Sequence, residues 1–119
     1  LMRNILLLQR SSPFNDGKGR EALDMILAMA AVEHNISVLF SADAVYQLLP
    51  TQDHTDFKLK AYPRSFKLFA LYDIEQVYVC QLSLQQRGIN ASDLSIDVTE
   101  LDTQAIAELF ARQHQVISS

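Results

Sequence analysis

Cysteine, glycine and proline are scarce in this sequence, and tryptophan is missing. One cysteine among 119 residues excludes an internal disulfide and is typical of a reducing compartment. Three glycines and three prolines exclude collagen-like and low-complexity sequence. The apolar run at residues 5–8 is too short for a signal-peptide core or a membrane span, so we expect a cytoplasmic protein with no membrane contact.

Positive charge is also in short supply. The net charge is −4, and the whole excess lies in residues 89–119, which contain Asp93, Asp97, Glu100, Asp102 and Glu108 against Arg112 alone. An acidic chain without a basic stripe is a poor candidate for nucleic-acid binding. We therefore expect no direct contact with nucleic acid.

Motifs for cofactors and metals are missing as well. The sequence contains neither GxxxxGK[ST] nor GxGxxG, so no phosphate cradle and no cofactor is predicted. His34, His54 and His114 stand apart without a spaced second ligand, so no metal site is predicted. A flavin or nucleotide stays an open alternative, because the loop at residues 9–19 has Ser11, Ser12 and Gly17 where flavodoxins hold a phosphate.

The sequence does contain alternating strand and helix patterns, and apolar residues make up 49% of it. Strands are predicted at residues 3–8, 36–40, 76–79 and 115–117, with a weaker one at 96–98. Helices are predicted at residues 19–33, 41–49, 65–71, 81–87 and 103–112, with Ser41 as one N-cap and Asp102 or Thr103 as another. Continuous apolar strands between helices are typical of a largely parallel sheet covered on both faces. We predict a single domain over residues 1–119 of the α/β class: a three-layer α/β/α sandwich with a mostly parallel sheet of about five strands, flavodoxin-like.

The single cysteine, Cys80, directly follows the third predicted strand and precedes a helix that ends at Gly88. Side chains at strand ends line the clefts of open α/β sheets, and a helix N-terminus favours a thiolate. No histidine or basic residue lies near it in sequence, and free cysteine is among the most buried residue types. Cys80 is therefore the one candidate for a catalytic residue. Two roles remain open for it, a reactive nucleophile and an inert residue of the core.

Residues 25–32 are apolar at eight consecutive positions, which leaves the predicted helix without a polar stripe. Either its small alanines face outward, or the helix is covered on its far side by another subunit. We favour the subunit interface, because methionine packs adaptably against partners. The interface candidates are Met25, Ala28, Met29 and Val32 on this helix and Tyr72, Asp73 and Glu75 before the third strand.

Three blocks of sequence resemble a known family. They are residues 19–24 (GREALD), residues 40–50 (FSADAVYQLLP) and residues 66–76 (FKLFALYDIEQ), the last continuing to Cys80. Together they resemble the TusC family, the middle subunit of the bacterial TusBCD sulfur-relay complex, within the DsrE/DsrF-like superfamily. The resemblance covers nearly the whole chain and is weakest at residues 51–63. Ala44 stands where relatives often carry glycine.

The resemblance implies a heterohexamer with two copies each of TusB-like, TusC-like and TusD-like subunits. Sulfur arrives as a persulfide from a TusA-like carrier, passes to a cysteine of the TusD-like subunit and then to a TusE-like carrier. It ends as the 2-thio group of the wobble uridine in certain tRNAs. In this scheme the C subunit is not the sulfur carrier, which implies a non-catalytic, structural role for the present chain.

Two alternatives to a structural subunit remain open at this stage. One is a sulfurtransferase with Cys80 as its persulfide carrier. The other is a DsrF-like subunit of a sulfur-oxidation complex, because relatives of that kind share the architecture. The sequence blocks favour the tRNA-modification branch without fixing the direction in which sulfur travels.

Overall fold

The computed structural model of this chain describes residues 3–10, 34–49, 74, 76–94 and 98–118. The predicted helices at residues 19–33 and 65–71 lie outside these described residues. The interface candidates Met25, Ala28, Met29, Val32, Tyr72, Asp73 and Glu75 lie outside them too.

The described residues form a five-stranded sheet in which every pair of neighbouring strands is parallel. The strands are β1 (Asn4–Gln9), β2 (Asn35–Phe40), β3 (Gln76–Cys80), β4 (Thr99–Leu101) and β5 (Gln115–Ser118). Their spatial order is β4-β3-β2-β1-β5. This confirms the predicted α/β fold with a parallel sheet, although the strand order differs from the 2-1-3-4-5 order of flavodoxin itself.

Alternate residues of the central strands supply two separate apolar cores, because side chains alternate across a strand. On one face, Ile5, Val38 and Val79 belong to a buried cluster that includes side chains of both helical segments flanking β3. On the other face, Leu6 and Leu39 pack with Leu109 from a helix near the carboxyl end. Since both faces of the sheet are covered, the three layers that the sequence predicted are present.

Two α-helices and two 3-10 helices accompany the strands in the described residues. The α-helices are α1 (Gln81–Gln86) and α2 (Thr103–Ala111), and the 3-10 helices span Ala42–Leu48 and Ala91–Asp93. The predicted N-cap of α2 is confirmed, since the carboxylate of Asp102 accepts a hydrogen bond from the backbone N–H of Ala105 at 2.8 Å. The predicted end of α1 is confirmed as well, because Gly88 follows it with a φ of 67°.

One prediction of local structure was wrong in detail: the segment after β2 is a 3-10 helix, and the side chain of Ser41 makes no capping hydrogen bond at its start. Residues 96 and 97 of the strand predicted at 96–98 lie outside the described residues. Val98 is not in a strand, and the fourth strand is Thr99–Leu101. Thr99 and Glu100 are exposed on this short edge strand, so no apolar pattern marks it in the sequence. No helix among the described residues is long and apolar enough to cross a membrane.

Candidate functional site

The candidate site is built around Cys80, at the carboxyl end of β3. Cys80 is the N-cap of α1, with extended backbone angles (φ −76°, ψ 117°). Its Sγ accepts a hydrogen bond from the backbone N–H of Ser83 at 3.4 Å, the bond that an N-cap side chain normally makes. The thiol is free and half-buried, as expected for a side chain at the rim of the sheet.

Ser83 joins this cysteine to the neighbouring segment of the chain. Ser83 is buried, and its hydroxyl oxygen accepts a hydrogen bond from the backbone N–H of Ala42 at 2.9 Å. Ala42 is the first residue of the 3-10 helix that follows β2. Ser83 therefore binds the Cys80 sulfur through its N–H, and through its hydroxyl it binds the start of the segment that follows β2.

Ala42 has an unusual backbone conformation. Its φ is 52°, in the left-handed region that costs a residue with a side chain roughly 1–2 kcal/mol. The conformation turns the chain sharply from β2 into the 3-10 helix, where the N–H of Ala44 donates to the carbonyl of Ser41 at 3.0 Å. The hydrogen bond to Ser83 satisfies the Ala42 N–H at this turn, so the strained residue and the cysteine helix depend on each other.

A partly exposed salt bridge also joins α1 to the 3-10 helix. The guanidinium of Arg87, at the end of α1, lies 3.0 Å from Oδ1 of Asp43 and also donates to the carbonyl oxygen of Ser83 at 3.2 Å. Arg87 is 20% exposed and Asp43 is 60% exposed, so screening by solvent weakens the pair. Because Asp43 and Ser83 engage this cation, it serves to fix α1 against the 3-10 helix.

The described contacts of Cys80 include no basic side chain. Among the described residues, no hydrogen bond or ion pair joins a basic side chain to the sulfur. The adjoining strand residue is Leu101, and the residue after it, Asp102, is acidic. Reactive cysteines usually lie next to a lysine, arginine or protonated histidine, in addition to a helix N-terminus. The described contacts supply the helix N-terminus alone.

Two large apolar side chains are exposed on the segments that flank the cysteine. Tyr46 is 38% exposed on the 3-10 helix, and Leu82 is 48% exposed in the first turn of α1. Beneath them, Leu84 of α1 is buried in the same cluster as Ala44 and Val45 of the 3-10 helix. The buried cluster packs the two helices together, while each of them also exposes one large apolar side chain.

The two described histidines lie at the amino ends of strands, opposite the end of the sheet where Cys80 lies. His34 precedes β2 and His114 precedes β5, while His54 lies outside the described residues. The described residues contain no group of three or more His, Cys, Asp or Glu side chains placed to hold a metal ion.

Sequence reasoning found the cysteine and missed the residues that hold it. Ser83 and Arg87 are four residues apart and so share one side of α1, which is a local signal. Their partners Ala42 and Asp43 are more than forty positions away, and only the fold brings them together.

Comparisons with known proteins agree with this architecture. The sequence matches the DsrE/DsrF-like family over residues 3–119. It is 44% identical over 117 residues to the TusC homologue of Vibrio vulnificus and 41% identical to that of Vibrio parahaemolyticus, covering 98% of this chain and 99% of each relative. The crystal structure of the ychN protein from E. coli superposes with a TM-score of 0.79 at 17% identity, over 99% of this chain and 100% of that one, which shows the shared fold. The chain therefore belongs to the DsrE/DsrF-like family, in the branch of the TusC homologues.

Proposed function

We propose that this chain is a non-catalytic structural subunit of a cytoplasmic sulfur-relay complex. Its partners in this proposal are TusB-like and TusD-like subunits in a heterohexamer, with TusA-like and TusE-like carriers docking on the assembly. The sulfur that passes through ends as the 2-thio group of the tRNA wobble uridine. The similarity to TusC homologues over nearly the whole chain supports the sulfur-relay role.

The non-catalytic role is supported by the interactions that the groups around Cys80 make. Its sulfur caps α1, and the nearest cation described on that helix, Arg87, is bound to Asp43 and to the carbonyl of Ser83. These interactions stabilise the carboxyl rim of the sheet, and within the described part of the chain no basic side chain is hydrogen-bonded to the thiol. A relay in which a sister subunit supplies the working thiol is consistent with this arrangement.

Co-purification tests the structural role. The chain is co-expressed with its TusB-like and TusD-like partners, and the mass of the assembly is measured by size-exclusion chromatography with light scattering. We expect a hetero-oligomer that contains this chain. The variant Ala28→Glu places a carboxylate in the apolar run at residues 25–32 and is expected to reduce co-purification. Gln85→Glu, an equal change of charge on the exposed side of α1, is the matched control. A monomer that ignores both partners would contradict the proposal.

A second candidate function is favoured by one observation, the Ser83 N–H that donates to the Cys80 sulfur. In that case Cys80 is itself a persulfide carrier. The Cys80 thiolate attacks the terminal sulfur of a donor persulfide, a new S–S bond forms on Sγ, and the donor leaves as a thiolate. The exchange is balanced and needs no external oxidant.

Mass spectrometry separates the two candidates. The purified assembly is incubated with a persulfide donor, and the Cys80 peptide is examined for the gain of one sulfur atom. The structural role predicts that the added sulfur is found on the sister subunit alone. Persulfide on Cys80 that is consumed when an acceptor is added would replace the structural role with the carrier role. A DsrF-like part in sulfur oxidation would be favoured instead if the source genome encodes a dissimilatory sulfite reductase and lacks tRNA-thiolation partners.

A further inference from the structure

The start of β5 is held to β1 through a single histidine. The backbone N–H of His114 donates to the carbonyl oxygen of Asn4 at 2.7 Å, and the imidazole Nδ1 of His114 accepts from the backbone N–H of Asn4, also at 2.7 Å. The side chain thus takes the place that a strand carbonyl occupies further along a ladder. Because the paired strand residues begin with Ile5 and Gln115, these two bonds close the open end of the β1–β5 ladder.

Asn4 is fixed on its other sides, so its N–H has a defined direction. Its side-chain Nδ2 donates to the carbonyl oxygen of Arg112 at 2.9 Å. Its Oδ1 accepts from the side-chain amide of Asn35, on β2, at 2.9 Å. The end of α2 and the start of β2 therefore both hold Asn4 in position for the imidazole.

The strand that this histidine anchors has little else to hold it. β5 is four residues long, lies at the edge of the described sheet and pairs there with β1 alone. Val116 is 43% exposed, and Ile117 is the one residue of β5 that packs on a described core cluster. With few buried apolar contacts, the strand depends strongly on its hydrogen bonds, as is typical of segments that open locally.

The imidazole can accept the Asn4 N–H only while it is neutral. When protonated, both ring nitrogens are donors, and Nδ1–H would then face the Asn4 N–H. Other ionisable side chains on the elements that meet here are Arg3 before β1, Arg112 after α2 and His34 before β2, with Glu108 one turn earlier on α2. A protonated His114 thus adds positive charge to an end of the sheet that already carries two arginines.

We propose that His114 is a pH-sensitive latch for the carboxyl-terminal strand. Neutral His114 keeps the start of β5 fixed to β1, and protonation frees this end of the ladder and favours local opening of β5 from residues 5–8 of β1. Because only the neutral ring accepts this hydrogen bond, the bond is present at high pH and is lost when a falling pH protonates the ring. This device is independent of any sulfur chemistry.

Hydrogen exchange on the full chain tests the latch. Protection factors, which correct for the intrinsic effect of pH on exchange, are measured for the amides of β5 and β2 at about pH 7.5 and about pH 5.5. We expect protection in β5 to fall roughly ten-fold at the lower pH, the loss expected for one hydrogen bond replaced by an unfavourable contact. Protection in β2 is expected to change less, because β2 is paired on both sides.

Three variants decide whether His114 is the group responsible. His114→Asn supplies an amide oxygen that accepts at both pH values, so β5 should stay protected throughout. His114→Ala should show low protection at both. His34→Gln removes the other described histidine, whose buried Nδ1 has no hydrogen-bond partner among the described residues, and should keep the wild-type pH response. An unchanged wild-type strand, or an equal loss of protection in wild type and His114→Asn, would overturn the proposal. The Asn variant decides this even if the Ala variant fails to fold.

Discussion

The hydroxyl oxygen of Ser83 lies 2.9 Å from the backbone nitrogen of Ala42, across forty-one positions of sequence. This hydrogen bond joins the helix that Cys80 begins to the segment that leaves β2. It places the candidate thiol on a junction whose polar groups are occupied in structural contacts.

Ser83→Ala should lower the free energy of unfolding by about 1–2 kcal/mol, because the Ala42 N–H would lose its acceptor in a partly buried place. Urea denaturation followed by circular dichroism measures the change. Ser92→Ala is the matched control, since Ser92 is exposed on the short 3-10 helix at Ala91–Asp93. Equal stability of the two variants would show that the hydrogen bond contributes nothing to the fold.

Ala42→Gly should raise the free energy of unfolding by about 0.5–1 kcal/mol. Glycine adopts the φ of 52° without steric cost, which stabilises the folded state. The extra conformational entropy of glycine in the unfolded chain offsets part of this gain. Thermal or urea unfolding of the two proteins gives the difference. A destabilised Ala42→Gly protein would mean that the methyl group contributes more by packing than the backbone conformation costs.

Gly88→Ala is the complementary test at the other end of α1. Gly88 has a φ of 67°, and a Cβ built there meets nothing within 4 Å, so the substitution adds backbone strain without a steric clash. The free energy of unfolding should fall by about 1 kcal/mol. A much larger loss would point to a contact at this turn that the backbone conformation does not explain.

Arg87→Ala should destabilise the protein more than Asp43→Ala does. Arg87 loses two partners, Asp43 and the carbonyl of Ser83, whereas Asp43 is mostly exposed and loses one ion pair. A double-mutant cycle should give a coupling energy below about 1 kcal/mol between the two side chains, because solvent screens the pair. Additive losses with equal single effects would contradict the assigned role of the Ser83 carbonyl.

The sequence predicted the parts of this structure that local patterns determine. β1 and β2 are largely apolar strands buried on both faces, and β3 buries Val77 and Val79. The N-cap at Asp102 and the position of Cys80 between a strand and a helix depend on nearby residues. The sequence did not identify β4 at its observed position, because its three residues lie at an edge of the sheet and two of them are exposed. The contacts that hold α1 against the 3-10 helix were not predicted. Ala42 and Asp43 meet Ser83 and Arg87 only after the sheet has formed. A left-handed alanine gives no signal in the sequence, since this conformation usually favours glycine.

The central claim is that this chain supports sulfur transfer without using its own thiol, and tRNA thiolation in cells tests it most directly. Cells that lack the gene are supplied with the wild-type chain or with Cys80→Ser, a substitution that keeps a good N-cap residue at the start of α1. The 2-thiouridine content of the tRNA wobble position is then measured by mass spectrometry. The account predicts equal restoration by the two proteins. A Cys80→Ser chain that still assembles with its partners yet restores no thiolation would contradict it.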